Sequence, residues 1–460
     1  MKLHNTLTRQ TEEFKPHEAG KVKLYTCGPT VYDYPTIGNL RSFVFDDTLR
    51  RALQVAGYEV AHVMNITDVG HLVSDEDEGE DKLEAGAGRE QKSVKEISQR
   101  YAQAFFEDVK ALNILAPNAY RGPHGSYAYA TDFIDEQIEL VNQLMGKDYA
   151  YKTASAIYFD ISKLSDYGKL SGQKLSDKEV AARSEVVNDP AKRNPQDFAL
   201  WFFTVGRFKN HTLRWRSPWG EGFPGWHLEC SAIVHATLGE PIDIHTGGVD
   251  HIGTHHTNEI AQTEAAFGVK LANYWLHNEH LMVDGQKMSK SKRNFYTLKD
   301  VIGKGYEPMA LRLLFLQSHY RTQANFTWEV LDAAKDHLQN LRAWADLKHQ
   351  QKPVVGLVDI RPAKGAIFTD LNTPKALAEL ASHKESPSQE VLELIDKLLG
   401  LHLADRPNIT SDEKELIIKR EEAREQKDWT GADNYRAQLA KKGIDIKDTE
   451  TGPIWSRISS

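Results

Sequence analysis

The segment from Val22 to Gly57 constrains the fold more than any other, because it reads as a strand, a short loop and a helix in direct succession. The strand signal is rich in β-branched and aromatic residues and ends at Cys27-Gly28, after which apolar residues recur at helical spacing. The start of such a helix offers free backbone N–H groups and a positive dipole end to an anion. Alone, this segment is most simply interpreted as an ordinary turn of a sheet–helix fold.

A lysine-rich run from Lys287 to Lys292 is a second candidate phosphate-binding element. It follows an apolar stretch and the dipeptide Asp284-Gly285, which suits the positive φ angles of a tight turn. Lysines on such a loop can close over a phosphate as negative charge builds up during a reaction. An isolated run of this kind is more often a solvated basic loop. Together with the strand–loop–helix, however, it predicts a nucleotide site.

Five short motifs resemble those of a known family and occur in the same order along nearly the whole chain. Residues 36–39 resemble the first signature of class I aminoacyl-tRNA synthetases, and residues 287–291 resemble the second. Residues 27–33, 225–232 and 255–261 resemble the cysteinyl-tRNA synthetases in particular.

The resemblance implies a set of site residues. An ATP site is expected at Thr36, Gly38, Asn39, Gly248, Asp250 and Lys290. Lys287 and Lys290 are expected to act catalytically, and Thr67 and Trp226 to line a cysteine pocket. Trp226 could equally be a core aromatic residue.

The chain departs from the family pattern in two places. The first signature usually opens with histidine, whereas this chain has Thr36, so a role that needs an imidazole on the ATP phosphates is in question. After Asp68 the family usually continues directly into Asp-Asp-Lys. Here residues 70–80, which are strongly acidic, intervene before Asp81-Lys82.

The two cysteines, Cys27 and Cys230, exclude a disulfide framework in a chain of 460 residues. Taken singly, each would most often be a small buried core residue. His255 and Glu259 are four positions apart, so in a helix they share one face. Two thiolates, an imidazole and a carboxylate suit zinc. Spacing alone leaves this open against a site without metal, with His256 as a competing imidazole.

The resemblance assigns Cys27, Cys230, His255 and Glu259 as the ligands of one zinc ion per chain, with the thiol of the substrate as a further ligand. His251 is expected to be structural or to support the ligands. Cysteine differs from serine by one atom, and an apolar pocket discriminates such differences by only about 1–3 kcal/mol. Zinc prefers a thiolate to a hydroxyl and lowers the pKa of a bound thiol, so it can supply the missing selectivity.

The predicted fold is α/β, with a Rossmann-like parallel-sheet catalytic domain split by an insertion, then a helical bundle and a small C-terminal domain. Length suggests about three domains of roughly 150 residues. The predicted segments are 1–116 and 224–307 for the two catalytic halves, 117–223 for the insertion, 308–404 for the bundle and 405–460 for the C-terminal domain. Residues 352–374 are predicted as a linker.

The C-terminal segment resembles a small anticodon-reading domain. Matching positions place Trp429, Asp433 and Asp448 near the anticodon, where an aromatic ring can stack on a base and a carboxylate can accept from base amino groups. Helix packing and surface charge are the competing explanation for all three.

The net charge of −8 argues mildly against a general nucleic-acid binder but does not exclude tRNA, because local basic patches set the field at a binding face. No transmembrane run and no secretory leader are evident, so a monomer in the cytoplasm, without a membrane partner, is expected.

The function implied by the resemblance is that of a cysteine–tRNA ligase with tRNA(Cys), L-cysteine and ATP, the last together with Mg²⁺, as partners. No general base is evident. Three alternatives stay open: a ligase that passes activated cysteine to a small amine, a zinc hydrolase, and a tRNA-binding module without catalytic activity.

Overall fold

A computed structural model describes residues 1–70, 72, 81–172, 190–288, 294–350, 358–449 and 452–458. Within it the chain forms two compact units, residues 1–301 with 320–325 and residues 302–319 with 326–460. The predicted Lys290 and most of the acidic stretch 70–80 lie outside the described residues. The five predicted segments divide the chain more finely than these units, and their boundaries stay a prediction.

The first unit includes a long insertion of antiparallel strands, with further strands before and after it in the sequence. Its strands are β1 (Lys2–Asn5), β2 (Gln10–Glu13), β3 (Lys21–Thr26), β4 (Glu59–Ile66), β5 (Ala128–Tyr129), β6 (Ala150–Lys152), β7 (Ala156–Phe159), β8 (Phe198–Phe203), β9 (Trp215–Ser217), β10 (Gly220–Pro224), β11 (Ile242–Gly248), β12 (Ala272–Asn278), β13 (Leu281–Val283) and β14 (Gln286–Lys287). Its helices are α1 (Ile37–Val55), α2 (Lys82–Glu90), α3 (Val94–Ala111), α4 (Ile134–Gly146), α5 (Trp226–Thr237) and α6 (His255–Phe267). Two elements, α7 (Leu298–Gly303) and β15 (Ala324–Phe326), cross the boundary between the units.

A five-stranded parallel sheet organises the first unit, in the order β12-β11-β3-β4-β5. From β3 the chain passes through α1 to β4 on one side, and from β11 through α6 to β12 on the other. The strand order therefore reverses between β3 and β11, and such a switch point opens a crevice at the carboxyl ends of the strands. Cys27 directly follows β3, so it lies at this crevice. The predicted Rossmann-like sheet is confirmed.

The second sheet is antiparallel, in the order β6-β7-β8-β10-β9. Its strands run between Ala150 and Pro224, which matches the predicted insertion 117–223 except for the last residue. The core of this part includes the fully buried rings of Phe159 and Trp201. The short β5 also falls in that segment, although it pairs with β4 at the edge of the parallel sheet.

The second unit is helical and ends in a β-hairpin. Its helices are α8 (Pro308–Leu316), α9 (Trp328–Asp346), α10 (Arg361–Ile367), α11 (Thr373–Ala381), α12 (Gln389–Leu399), α13 (Ser411–Glu425) and α14 (Trp429–Lys441), and its hairpin strands are β16 (Ile444–Thr449) and β17 (Gly452–Arg457). One face of α9 is buried, including Leu331 and Leu338. No helix among the described ranges is long and apolar enough to span a membrane.

The prediction of a linker over residues 352–374 is wrong, because α10 and the start of α11 lie within it. Pro362 and Gly365 suggested an irregular segment. Pro362 instead occupies the first turn of α10, where a missing N–H is tolerated, and the helix buries Ala366 and Ile367 against its neighbours.

Gly28 allows the loop after β3 to lie directly against β4. Its N–H donates to the side chain of Asn65 at 2.7 Å, and a Cβ at this position would collide with the backbone carbonyl of Asn65. Backbone atoms cannot move aside as a flexible side chain can. The absence of a side chain at Gly28 therefore fixes where the neighbouring Cys27 lies.

We predict that Gly28→Ala lowers the free energy of unfolding of the protein by about 1–3 kcal/mol through this overpacking. Gly146→Ala is the matched control, because it lies in α4 with nothing near its Cβ position and should stabilise by about 0.4–1 kcal/mol. Urea unfolding of both variants measures the difference. Equal stability of the two variants would contradict the assigned contact.

Candidate metal and nucleotide site

A cavity of about 330 Å³ opens at the carboxyl ends of β3 and β11. The loop from Cys27 to Thr36 forms one wall, and Gly247 and Gly248 at the end of β11 form another. Most of the predicted site residues line it: Cys27, Thr36, Asn39, Thr67, Trp226, Cys230, Gly248, Asp250 and His255. The structure thus gathers residues from distant parts of the sequence around one space.

Four of the predicted ligand atoms converge on the inner side of this cavity. The side-chain atoms of Cys27, Cys230, His255 and Glu259 lie within 4.8 Å of one another. Helix α5 contributes Cys230, and α6 contributes His255 and Glu259. Nε2 of His255 lies 2.7 Å from Oε1 of Glu259, and both side chains are buried. A buried carboxylate and an imidazole beside two thiols suit a cation.

A second group of ligands overlaps the first and contains Cys27, His245, His256 and Glu259. Sγ of Cys27 lies 3.3 Å from Nε2 of His256, and Nε2 of His245 lies 2.7 Å from Oε2 of Glu259. His256 also contacts His277 through its other ring nitrogen at 2.8 Å. Geometry alone therefore does not decide between His255 and His256 as the imidazole ligand, and the assignment of His255 stays a prediction.

Charges in this cluster shift the pKa values of its members strongly. Burial raises the pKa of Cys27, but a hydrogen bond from Cys230 and the nearby imidazole of His256 outweigh it and hold the pKa well below its ordinary value. Burial opposes a charged imidazole at His255, yet Glu259 and Cys27 raise its pKa to about 10. Burial and His245 lower the pKa of His256 to about 4. The pocket thus stabilises a thiolate and a carboxylate side by side, as a metal site requires.

Aromatic and polar groups hold these side chains in place. The ring of Trp226 stacks on His255 with centroids 4.2 Å apart, and it lies edge-on to His251. Nδ1 of His255 contacts Nδ1 of His227 at 3.1 Å, which leaves Nε2 directed at the cluster. Trp226 therefore lines the cavity while packing on a candidate ligand, and the supporting role of His251 stays a prediction.

Thr67 and Asp46 belong to the polar floor of the cavity, and each bonds to a buried neighbour. Oγ1 of Thr67 donates to Oε1 of Glu229 at 2.7 Å, and burial raises the pKa of Glu229 well above its ordinary value. Thr246 donates to Asp46 at 2.6 Å, while burial raises the pKa of Asp46 to about 8. Sequence reasoning missed Glu229 and Asp46. Their only signal was a charged residue in an otherwise apolar stretch.

Thr36 and Asn39 bind each other at the start of α1. Oγ1 of Thr36 accepts from the backbone N–H of Asn39 at 3.1 Å and donates to Oδ1 of Asn39 at 2.8 Å. Oδ1 of Asn39 also accepts from the N–H of Thr36, which completes a capping box. At this position threonine stabilises the helix start, a task distinct from the imidazole role in the family.

The two signature motifs are in direct contact. The methyl group of Met288 occupies the space that a Cβ on Gly38 would need, although Gly38 was expected to admit a nucleotide. The N–H of Ile37 donates to the carbonyl of Tyr296 at 2.9 Å, beyond the lysine run. Lys287 itself is exposed on β14, which pairs with β13. Gly38, Glu259 and Lys287 do not line the cavity.

In the second unit, the three predicted anticodon residues lie on α14 and β16. Trp429 begins α14 with 59% of its surface exposed, and Asp433 is also exposed. Asp448 accepts from both terminal nitrogens of Arg420 at 2.9 Å and lies 3.1 Å from Arg424. Its carboxylate is thus bound to arginines, an arrangement that sequence reasoning missed.

Comparison with known proteins assigns the chain to a family. Residues 13–336 match the family described as tRNA synthetases class I (C) catalytic domain, and residues 406–455 match the cysteinyl-tRNA ligase anticodon binding domain. A cysteine–tRNA ligase of Treponema denticola is 43% identical over 500 aligned positions, which cover 100% of both chains. The chain belongs to the cysteine–tRNA ligase family of class I tRNA synthetases. Cysteine–tRNA ligase 1 of Burkholderia lata is 42% identical, over 98% of this chain and 95% of the relative.

Solved structures agree with the fold of this family. The methionyl-tRNA synthetase of Mycobacterium tuberculosis in complex with methionyl-adenylate superposes with a TM-score of 0.56 at 14% identity, over 87% of this chain and 84% of that one. A ternary complex of the Agrobacterium radiobacter K84 agnB2 LeuRS gives a TM-score of 0.54 at 11% identity, over 85% of each chain. At these identities the likeness concerns the fold alone.

Metal content of single variants separates the two overlapping ligand groups. We predict that Cys230→Ala loses the bound metal, whereas His256→Asn retains it, because only the first group contains Cys230 and only the second contains His256. Elemental analysis of purified protein gives the stoichiometry, and circular dichroism checks that both variants are folded. Retention in Cys230→Ala together with loss in His256→Asn would reverse the assignment.

Proposed function

We propose that this chain activates L-cysteine with ATP and transfers it to tRNA(Cys), with zinc selecting the amino acid. The observation that carries the proposal is the convergence of two thiols, an imidazole and a carboxylate within 4.8 Å, beside the cavity that Thr36 and Asn39 line. Membership of the family supports the same activity, and it favours tRNA over the small amine acceptor because a C-terminal anticodon-binding domain is present. We expect a monomer in the cytoplasm.

Cys27, Cys230, His255 and Glu259 would hold the zinc ion. When bound, zinc offers a further coordination position that takes a thiolate in preference to a hydroxyl, so cysteine is favoured over serine and alanine. Trp226 covers His255 on the cavity side, and Thr67 lies on the floor nearby. These two side chains would confine the small cysteine side chain and keep its carboxylate directed toward the nucleotide.

In the first step, the cysteine carboxylate attacks the α-phosphate of ATP, and pyrophosphate leaves. Asn39, Gly248 and Asp250 line the cavity where the nucleotide would bind together with Mg²⁺. Lys287 and Lys290 would offset the negative charge that develops on the phosphates. In the second step, a ribose hydroxyl of the terminal tRNA adenosine takes the cysteinyl group from the adenylate, and AMP leaves.

Exchange of labelled pyrophosphate into ATP tests the first step. We predict exchange with cysteine, more than about 200-fold weaker exchange with serine or alanine, and loss of the cysteine signal after chelation, since an apolar pocket alone discriminates only about 10–200-fold. Zinc added back should restore it. Equal exchange with serine would defeat the zinc assignment. Complete lack of cysteine-dependent exchange would favour a tRNA-binding module without catalytic activity. Metal-dependent turnover without ATP would favour a zinc hydrolase.

Aminoacylation by a variant of Trp429 tests the anticodon contact. We predict that Trp429→Ala lowers kcat/KM for tRNA about 5- to 150-fold, because stacking of one base on an aromatic ring contributes about 1–3 kcal/mol. Cysteine-dependent exchange should be unchanged, since Trp429 lies in the second unit. Ile418→Ala is the matched control, because Ile418 is 53% exposed on the preceding helix α13. Equal kcat/KM values of the two variants for tRNA would show that Trp429 does not contact the anticodon.

A further inference from the structure

We infer that Lys82 binds the polyphosphate of ATP during cysteine activation, an inference that rests on the proposed function. Lys82 is the first residue of α2 and is half-buried. It lines the same cavity as Thr36 and Asn39, although residues 70–80 separate it in sequence from Asp68. None of the motifs that carry the nucleotide site includes it.

The carboxyl groups around the cavity make a cation necessary on its wall if the polyphosphate of ATP is to bind there. Among the described residues that line the cavity, Lys82 is the one lysine or arginine. The carboxyl groups of Asp33 and Asp250 line it as well. ATP brings several negative charges into this acidic space, and its transition state concentrates charge on the phosphates. The first signature contributes the neutral Thr36 and Asn39, which are bound to each other. An ammonium group on the wall therefore offsets repulsion that Thr36 and Asn39 cannot offset.

Helix α2 is packed directly on the loop that forms the nucleotide wall. The ammonium group of Lys82 lies 5.8 Å from the ring centroid of Tyr32, which also lines the cavity. A Cβ on Gly86 would lie 3.3 Å from the carbonyl oxygen of Tyr32, so the helix and the loop are in close contact. On the same side, Arg89 lies 3.8 Å from Asp33. Lys82 thus faces the wall that runs from Cys27 to Thr36.

The position of Lys82 is fixed by its neighbour Asp81. The buried carboxylate of Asp81 accepts from the N–H groups of Leu83 at 2.8 Å and Gly70 at 2.9 Å. Nε2 of His211 lies 3.5 Å from the same carboxylate. Asp81 therefore caps α2 and ties its start to the end of the segment that follows β4.

A second attachment comes from the loop before β9. Glu84 accepts from the N–H of Thr212 at 2.6 Å and from its hydroxyl at 3.1 Å. The ring of His211 stacks on Phe223 with centroids 3.8 Å apart and an interplanar angle of 8°. The start of α2 is therefore held from two sides before any ligand binds. A cation held in place in this way is preorganised for charge that develops on a substrate.

Two variants of Lys82 separate a phosphate-binding role from a structural one. Lys82→Met removes the charge at similar length, and Lys82→Arg keeps it. Lys95→Met is the matched control, because Lys95 is exposed on α3 and does not line the cavity. Each protein is assayed for cysteine-dependent pyrophosphate exchange, with KM for ATP and for cysteine, for transfer from preformed cysteinyl-adenylate to tRNA, and for its melting temperature.

We expect Lys82→Met to lower kcat/KM for ATP in exchange about 100- to 1,000-fold, the range seen when one preorganised donor is removed. KM for cysteine, transfer from the preformed adenylate and the melting temperature should stay close to those of the unmodified protein. Lys82→Arg should recover at least a tenth of the activity, and Lys95→Met should match the unmodified protein.

Exchange by Lys82→Met within about threefold of Lys95→Met would overturn the inference. A loss confined to transfer from preformed adenylate would also overturn it, because the lysine would then act on tRNA. Equal loss in the methionine and arginine variants with a lowered melting temperature would assign Lys82 a structural role. If the unmodified protein shows no cysteine-dependent exchange, the proposed function itself fails, and the two failures are thereby distinguished.

Discussion

The burial of two thiols beside a carboxylate and several imidazoles is the constraint on which the rest of the site depends. Removing charged groups from water is costly unless opposite charges compensate them. Glu259 lies between His245 and His255, and these contacts, working against burial, hold its pKa well below its ordinary value. The pKa of Cys27 is likewise held well below its ordinary value. Because buried anions need a cation or protonated histidines to balance them, the atoms of this cluster suit a metal ion.

The parallel sheet explains how this cluster forms from positions more than two hundred residues apart. Cys27 leaves the end of β3 at the switch point, and the adjacent Gly28 lets its loop lie against β4. Helices α5 and α6 pack on each other and deliver Cys230 and Glu259 to the same edge. Loop closure over such distances is entropically unfavourable, but the cost grows only slowly with length. The insertion between the halves of the sheet is consequently tolerated, since its own antiparallel sheet includes local pairings such as β6 with β7.

Sequence reasoning succeeded where local spacing determines geometry and failed where distant elements meet. The four-residue spacing of His255 and Glu259 indicated one helix face, and both lie on α6 as expected. The same spacing could not reveal that His245, on a neighbouring strand, shares the carboxylate of Glu259. The role of Asp448 was inferred from its matching position, yet its partner Arg420 lies on α13, so sequence reasoning could not foresee that this exposed carboxylate is bonded to an arginine. Helix α10 was missed because proline and glycine were taken as breakers without knowledge of the apolar surface that the helix covers.

The contact between the two signatures bears on how the lysine run can act on the nucleotide. Its described flanks both reach the start of α1, one through Met288 against Gly38 and the other through Tyr296 bonded to Ile37. Phe295 on the second flank also lines the cavity. Glycine at position 38 therefore serves the packing of the lysine-run flank on α1, and any larger residue would have to displace Met288. Because that methionine is a flexible side chain, the junction can yield without breaking the backbone hydrogen bond beside it.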